Sequence, residues 1–256
     1  MKNIVIIGCL FLLVLTSCSS DDSSKQKSEN RLTEITTLGT ENDGTERLYS
    51  KTNFFYNSKN QIEKTKFLTD DFALEMNYLY NEKNQVTKLT MNMDDTDYPI
   101  EILYDESSMI PTKIKVLNAS NLETEILNID NNLFWTKGNT SFTLDNISVN
   151  DFSFTQFTRN QDVIKYSFFE DFKNGLEHNN SNFSMVTYIV LSFTLSNTEM
   201  LSIYGFDCFD KPINQIVLSN NQVVTYVYDI IGKKVNSRKM TLNNSSEYLT
   251  QKYTYQ

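Results

Sequence analysis

Residues 54–64 read FFYNSKNQIEK, and residues 78–88 read YLYNEKNQVTK. Both copies place an aromatic-x-Tyr step before Asn57 or Asn81, then a second Asn at 60 or 84, then Gln and a β-branched residue. Each piece has a physical role. The ring of Tyr56 or Tyr80 ends a strand on its buried face. The first Asn bonds its own backbone in a turn, and Asn60 or Asn84 takes the left-handed conformation that most side chains avoid. The chain returns as a strand beginning at Ile62 or Val86. Each unit is a hairpin. Tyr56 and Tyr80 lie 24 residues apart, and Tyr104-Asp105 follows after another 24. That period holds two strands of about eight residues with their turns. A further copy, YVYDIIGKKV, runs from Tyr226 to Val235 with Gly232 at the left-handed position, and weaker echoes lie at 206–216 and 160–163.

Outward from these copies the chain reads as β almost throughout from Leu32. Aromatic and β-branched residues alternate with Thr, Asn, Lys and Glu, the pattern of half-buried antiparallel strands. Tyr98, Ile100, Ile102 and Tyr104 share one face, Phe152 pairs with Phe154, Tyr226 with Tyr228, and Tyr253 with Tyr255. The expected fold is all-β, an up-and-down antiparallel meander curled into a soluble barrel or half-barrel. By strict alternation Ile62, Lys64, Lys66 and Leu68 fall on one face and Gln61, Glu63, Thr65 and Phe67 on the other. Neither is the clean apolar face that a membrane-spanning strand presents to lipid. Two stretches depart from the repeat: 107–113 (SSMIPTK) lacks the Asn/Gly turn, and 117–150 carries no clear copy.

One segment is ambiguous. Residues 183–195 (FSMVTYIVLSFTL) are the least polar part of the chain after its first residues. Val186, Ile189, Val190 and Phe193 have helical spacing, with Asn182 or Ser184 as a cap, while Met185, Ile189, Leu191, Phe193 and Leu195 suit a strand. Periodicity does not decide between a buried central strand and a helix plugging the barrel or lining an apolar cavity.

The N-terminus reads as an address. Lys2 precedes twelve apolar residues, Ile4 to Leu15, the length of a signal-peptide core and too short to span a bilayer. Leu15-Thr16-Ser17-Cys18 resembles a bacterial lipobox, which implies cleavage before Cys18 and lipidation of its thiol and amine. Acyl chains buried at about 0.8 kcal/mol per methylene would then anchor the protein. The reading divides the chain into a signal peptide at 1–17, an acidic Ser-rich tether at 18–31 and one β domain at 32–256. Asp21 and Asp22 resemble the export signal of Bacteroidetes-type surface lipoproteins. The hairpin copies resemble tyrosine–aspartate (YD) repeats, and the chain from about Leu32 to Gln256 is similar to an uncharacterised family of such lipoproteins with a porin-like antiparallel barrel. The resemblance implies an outer-membrane, cell-surface location. It implies no chemistry, because the Tyr and Asn of the motif are structural.

Composition narrows the function classes. Thirty-two acidic against 23 basic residues give a formal charge of −9, the wrong sign for nucleic acid, where a basic surface supplies most of the affinity. One histidine excludes a His-rich zinc site within the chain, and any Ser-His-Asp triad would need His178, which lies in a polar loop. Of the three cysteines, Cys9 leaves with the signal and Cys18 is lipidated, so Cys208 reads as a small core residue. Asp94-Asp95-Thr96-Asp97 and Asp70-Asp71 read as solvated hairpin tips, because they lack the Gly and distant Glu of a calcium loop. Glu170 and Asp171 would point to opposite faces of a strand and would not meet over a glycosidic bond. Tyr56, Tyr80, Tyr104, Tyr226 and Tyr228 read as core rather than as a wall for sugars or acyl chains. The expectation is a non-catalytic binding or display module without cofactor or metal. Its partners would be the membrane, through Cys18, and a glycan, peptide or lipid. The alternative is a half-barrel carrier of lipid or another hydrophobic ligand, and the third reading is an extracellular hydrolase.

Overall fold

The structure, a computed structural model, describes residues 31–40, 44–93, 95–106, 108–118, 120, 122–130, 132–149, 152–169, 181–194, 209, 211–232, 234–243 and 248–256. The proposed signal peptide, with Cys9, and Cys18 with the tether up to residue 30 lie outside them, as do Asp94, Glu170, Asp171, His178 and Cys208.

The first half of the sheet comprises β1 (Leu32–Thr40), β2 (Glu46–Tyr56), β3 (Ile62–Leu68), β4 (Ala73–Tyr80), β5 (Val86–Met93), β6 (Thr96–Tyr104), β7 (Pro111–Leu117) and β8 (Glu123–Asn128). The second comprises β9 (Phe134–Lys137), β10 (Thr140–Asp145), β11 (Gln156–Arg159), β12 (Asp162–Phe168), β13 (Ile213–Val217), β14 (Val223–Ile231), β15 (Lys234–Leu242) and β16 (Tyr248–Tyr255). All sixteen form one antiparallel sheet in which sequence neighbours pair and β1 also pairs with β16. The sheet curls until its ends, β8 and β9, face each other across a seam held by the Ile129–Trp135 bridge and by a Lys137–Glu125 contact of 3.5 Å. The result is a nearly closed up-and-down barrel, as the repeat predicts.

The hairpin turns are built alike. Asn57 Oδ1 accepts from the Lys59 and Gln61 amides at 2.9 and 3.0 Å, and Asn81 Oδ1 does the same for Lys83 and Gln85. Asn60 and Asn84 have φ of 65° and 59°. The same arrangement occurs in the stretch without a clear copy of the repeat: Asn118 Oδ1 accepts from Ser120 and Leu122, and Asp130 Oδ1 from Asn132 and Phe134.

Strict alternation fails at one place near the start of β1, β3, β5, β7, β13 and β15. The pairing passes from Phe55–Lys64 to Tyr56–Ile62, leaving Glu63 as an extra residue. Thr87 and Asn236 are extra in the same way, as is Thr33 between Leu32 and Glu34. Each bulge flips the phase of the strand residues beyond it. Ile62 is therefore buried with Thr65 and Phe67, while Lys64, Lys66 and Leu68 turn outward, correcting the faces read by alternation.

A bulge interrupts the ladder, and a tyrosine meets the gap. Tyr56 Oη donates to the Leu32 carbonyl at 2.8 Å, Tyr80 to Ile62 at 2.7 Å and Tyr104 to Val86 at 2.9 Å. Tyr228 reaches Ile213 and Tyr255 reaches Val235, both at 2.8 Å. Each accepting residue lies at or next to the start of its strand, immediately before the extra residue. The repeated tyrosine thus bolts β2, β4, β6, β14 and β16 each to the preceding returning strand. These tyrosines belong to the wall and its core.

The ambiguous segment is a helix, α1 (Ser181–Thr194), and it lies inside the barrel. Met185, Val186, Ile189, Val190 and Leu191 are fully buried, as are Asn182, Ser184 and Thr187. Burial on every side explains the absence of a polar face. Tyr78 meets Phe183 edge-on at 4.9 Å, and Phe154 and Phe157 meet Tyr188 at 5.0 and 5.6 Å. Asn182, expected as a cap, binds the wall instead. Its Oδ1 accepts from the Val86 amide at 2.8 Å and from Tyr104 Oη at 3.0 Å, and its Nδ2 donates to the Met109 carbonyl at 2.9 Å. Val86 is a bulge residue, so the plug satisfies an amide that the ladder leaves over.

Asn182→Ala leaves the buried Val86 amide without its partner and removes the contacts to Tyr104 Oη and the Met109 carbonyl, and should cost about 2–4 kcal/mol, read as a lowered denaturation midpoint. Burial also pushes the phenols of Tyr56, Tyr80 and Tyr104 well above their ordinary value. A raised phenol favours the neutral folded form, so this stabilisation is complete below about pH 10 and falls as pH rises through the folded values. Alkaline denaturation should show these phenols ionising only with unfolding. Tyr80→Phe should cost about 1 kcal/mol at neutral pH and flatten the alkaline decline.

Candidate functional site

The chain ends meet at one rim, where the Arg31 and Gln256 backbones exchange two hydrogen bonds of 2.8 Å. The turns at 57–61 and 81–85 and the start of α1 lie at this rim, because β2 and β4 end there and β1, β3 and β5 begin there. The opposite end is the mouth. At the mouth, β1, β2, β14, β15 and β16 enclose a pocket of about 230 Å³ lined by Gly39, Tyr49, Val224, Met240, Leu242 and Leu249, with Thr40, Thr241 and Tyr248 at its edge.

The pocket has a structural cause. Met240 pairs with Leu249, and Leu249 with Gly39, so three inward positions form one row across β15, β16 and β1. Gly39 leaves a hole in that row. A bulge in β2 between the partners of Thr37 and Leu38 frees Tyr49, whose ring covers the glycine. A Cβ at position 39 would lie 2.2 Å from Tyr49 Cε2. A side chain at position 39 would have to displace the Tyr49 ring, although the backbone there is ordinary.

The next row towards the rim is polar. Tyr228, Arg238, Gln251, Thr37 and Ser50 are successive cross-strand partners on five adjacent strands. Arg238 is 1% exposed. Its Nε donates to Gln251 Oε1 and its Nη1 to Tyr228 Oη at 3.2 Å, and the guanidinium lies 4.9 Å from the Tyr226 ring centre. Gln251 Nε2 continues the chain to Thr37 Oγ1 at 3.2 Å. The site is an apolar cup over a hydrogen-bonded cationic belt. None of its nine lining residues is a carboxylate, histidine or cysteine.

Other sequence candidates fall elsewhere. Asp70 pairs with Arg47 at 3.1 Å on an exposed loop, and Asp97 accepts from Asn92 at 2.8 Å. Among the described residues no three His, Cys, Asp or Glu side chains cluster as a metal site. The outer wall carries ion pairs. Lys51 meets Glu34 at 2.7 Å, and Lys66 and Lys64 meet Glu75 at 2.8 and 2.9 Å. Hydrogen bonds from Lys66, Lys64 and Asn77 hold the Glu75 carboxyl down at about 2. Sequence reading missed Gly39, Tyr49, Arg238 and Gln251. Asn236 is the reason for Arg238: alternation from Val235 places Ser237 and Lys239 inward, whereas the bulge turns Arg238 and Met240 inward.

No family model matches the chain, and no curated protein matches it. Solved structures to which the chain is similar include two porin-like proteins. A porin-like protein from Bacteroides uniformis ATCC 8492 is 12% identical with a TM-score of 0.42, over 89% of this chain and 98% of that one. A porin-like protein from Bacteroides vulgatus ATCC 8482 is 8% identical with a TM-score of 0.41, over 89% and 99%.

Proposed function

We propose that the chain is a lipid-anchored surface lipoprotein of the outer membrane whose barrel is a non-catalytic binding module, taking a small apolar or aromatic group in the mouth pocket. The observation carrying the binding role is the cup at Gly39, Tyr49, Met240 and Leu249, in which the glycine seats the Tyr49 ring and a hydrogen-bonded polar row lies beneath. Concave apolar sites with a few fixed polar groups are where small ligands bind. The anchor rests on Leu15-Thr16-Ser17-Cys18 and the surface location on Asp21 and Asp22.

The same reading makes the barrel a water-facing body. A wall in contact with lipid presents an apolar band, whereas Glu34, Lys51, Lys64, Lys66 and Glu75 lie mid-wall on the outside in ion pairs. The interior does not serve as a pore, because α1 and the rings around it fill the axis. That packing also weakens the carrier alternative, in which 183–195 would line a cavity for acyl chains. From Phe183 to Leu191 every side chain is already buried against protein.

Cys18→Ala should abolish the acyl mass on the mature chain and release it from the membrane fraction, read by intact-mass spectrometry and flotation. A chain still floating without Cys18 would overturn the anchor. For the pocket, Leu249→Trp should fill the cup while leaving the wall intact. Binding of the probe anilinonaphthalene sulfonate, followed by its emission, should be lost in that variant. Equal binding by both proteins would place the probe elsewhere and remove the pocket from the proposed function.

A further inference from the structure

At the rim where the chain ends meet, the outward position just before four of the five bolting tyrosines is apolar and open, Thr254 before Tyr255 being the exception. Phe55, Leu79 and Leu103 occupy it on β2, β4 and β6, at 42%, 62% and 40% exposure. On the far side of β1 and β16, Val227 and Ile231 of β14 are 68% and 65% exposed. These side chains therefore flank Arg31, where the chain leaves the barrel, on both sides. Exposed apolar residues scattered singly need no explanation, but a set at one structural position along one rim does. The repeat places them there every 24 residues, and the ladder of tyrosines fixes their height.

We propose that this rim rests on the lipid surface. The proposal builds on the anchor at Cys18. From Cys18 to Arg31 the chain has thirteen steps, which reach at most about 45 Å, so an anchored barrel is held close to the bilayer by this rim. Rings and branched side chains there enter the headgroup layer, as interfacial residues of peripheral proteins do. The lysines of the adjoining turns, Lys59 and Lys83, are balanced by Glu82 and Glu106, so contact is apolar rather than electrostatic and is insensitive to salt. The docked orientation turns the mouth pocket away from the membrane.

Tryptophan scanning with brominated lipid tests this. Leu79→Trp and Val227→Trp report on the rim, and Leu122→Trp, 64% exposed in the turn joining β7 to β8, reports on the mouth. Trp135 is fully buried and supplies a constant background. The lipidated chain is reconstituted on vesicles of brominated phosphatidylcholine with or without phosphatidylglycerol. A parallel set carries six histidines in place of Cys18 and is held on nickel-chelating lipid. Emission should be lost at 79 and 227, in both lipid mixtures and at high salt, and unchanged at 122. Equal loss at both ends, loss at 122 alone, or no loss anywhere would overturn the proposal. So would a concentration-dependent shift at 79 without vesicles, which would assign the rim to a second copy. Failure of the native chain to acquire acyl mass would defeat the anchor alone, and the nickel-held set would still decide the rim.

Discussion

The hydroxyl of a tyrosine on a bulge carbonyl is the interaction on which this barrel depends. In β1, β3, β5, β13 and β15 a buried residue at or next to the start of the strand is followed by one extra residue, which breaks the ladder there. A buried carbonyl without a partner costs about 1–3 kcal/mol, and the neighbouring strand supplies the donor. The bulge and the tyrosine therefore require each other. Together they set the local twist, fix the register and repeat at the interval that the sequence displays.

Near-closure of the wall has a second consequence, at the axis. Every inner strand has already committed its backbone to its two neighbours, so a segment in the centre has no edge to join. A helix satisfies its own amides and carbonyls, and α1 is the form that central position allows. Its β-branched and aromatic residues, poor helix formers in isolation, are overridden by burial on all sides. Asn182 links the two devices, since it closes on the amide of Val86 at one bulge and on the hydroxyl of Tyr104 that bolts the same residue.

The mouth pocket arises from a local exception to these rules. On β1 and β16 the inward row contains a glycine, and the bulge in β2 turns Tyr49 over it rather than bolting a carbonyl. Beneath it the buried Arg238 is tolerable because Gln251, Tyr228 and the face of Tyr226 receive its charge. The buried guanidinium and its polar row thus lie in the sector of β14–β16, β1 and β2. The sector around α1 is aromatic and closed. One barrel carries a packed side and an open side.

By itself the sequence determined the hairpin, its period and its turn chemistry, because each turn is local and Asn57, Asn60 and Tyr56 act within a few residues or one strand of one another. It also determined the all-β class, since alternation survives in stretches such as Tyr98 to Tyr104. Tertiary structure alone decided the rest. A bulge shifts the phase by one residue, so the inward Arg238 and the outward Lys64 were illegible until pairing was known. The choice between helix and strand at α1 turned on whether an edge was available to it, a property of the closed wall and not of those fourteen residues. The pocket likewise needed Gly39 and Leu249, over two hundred residues apart, to become partners; only closure of the sheet between its first and last strands brings them together.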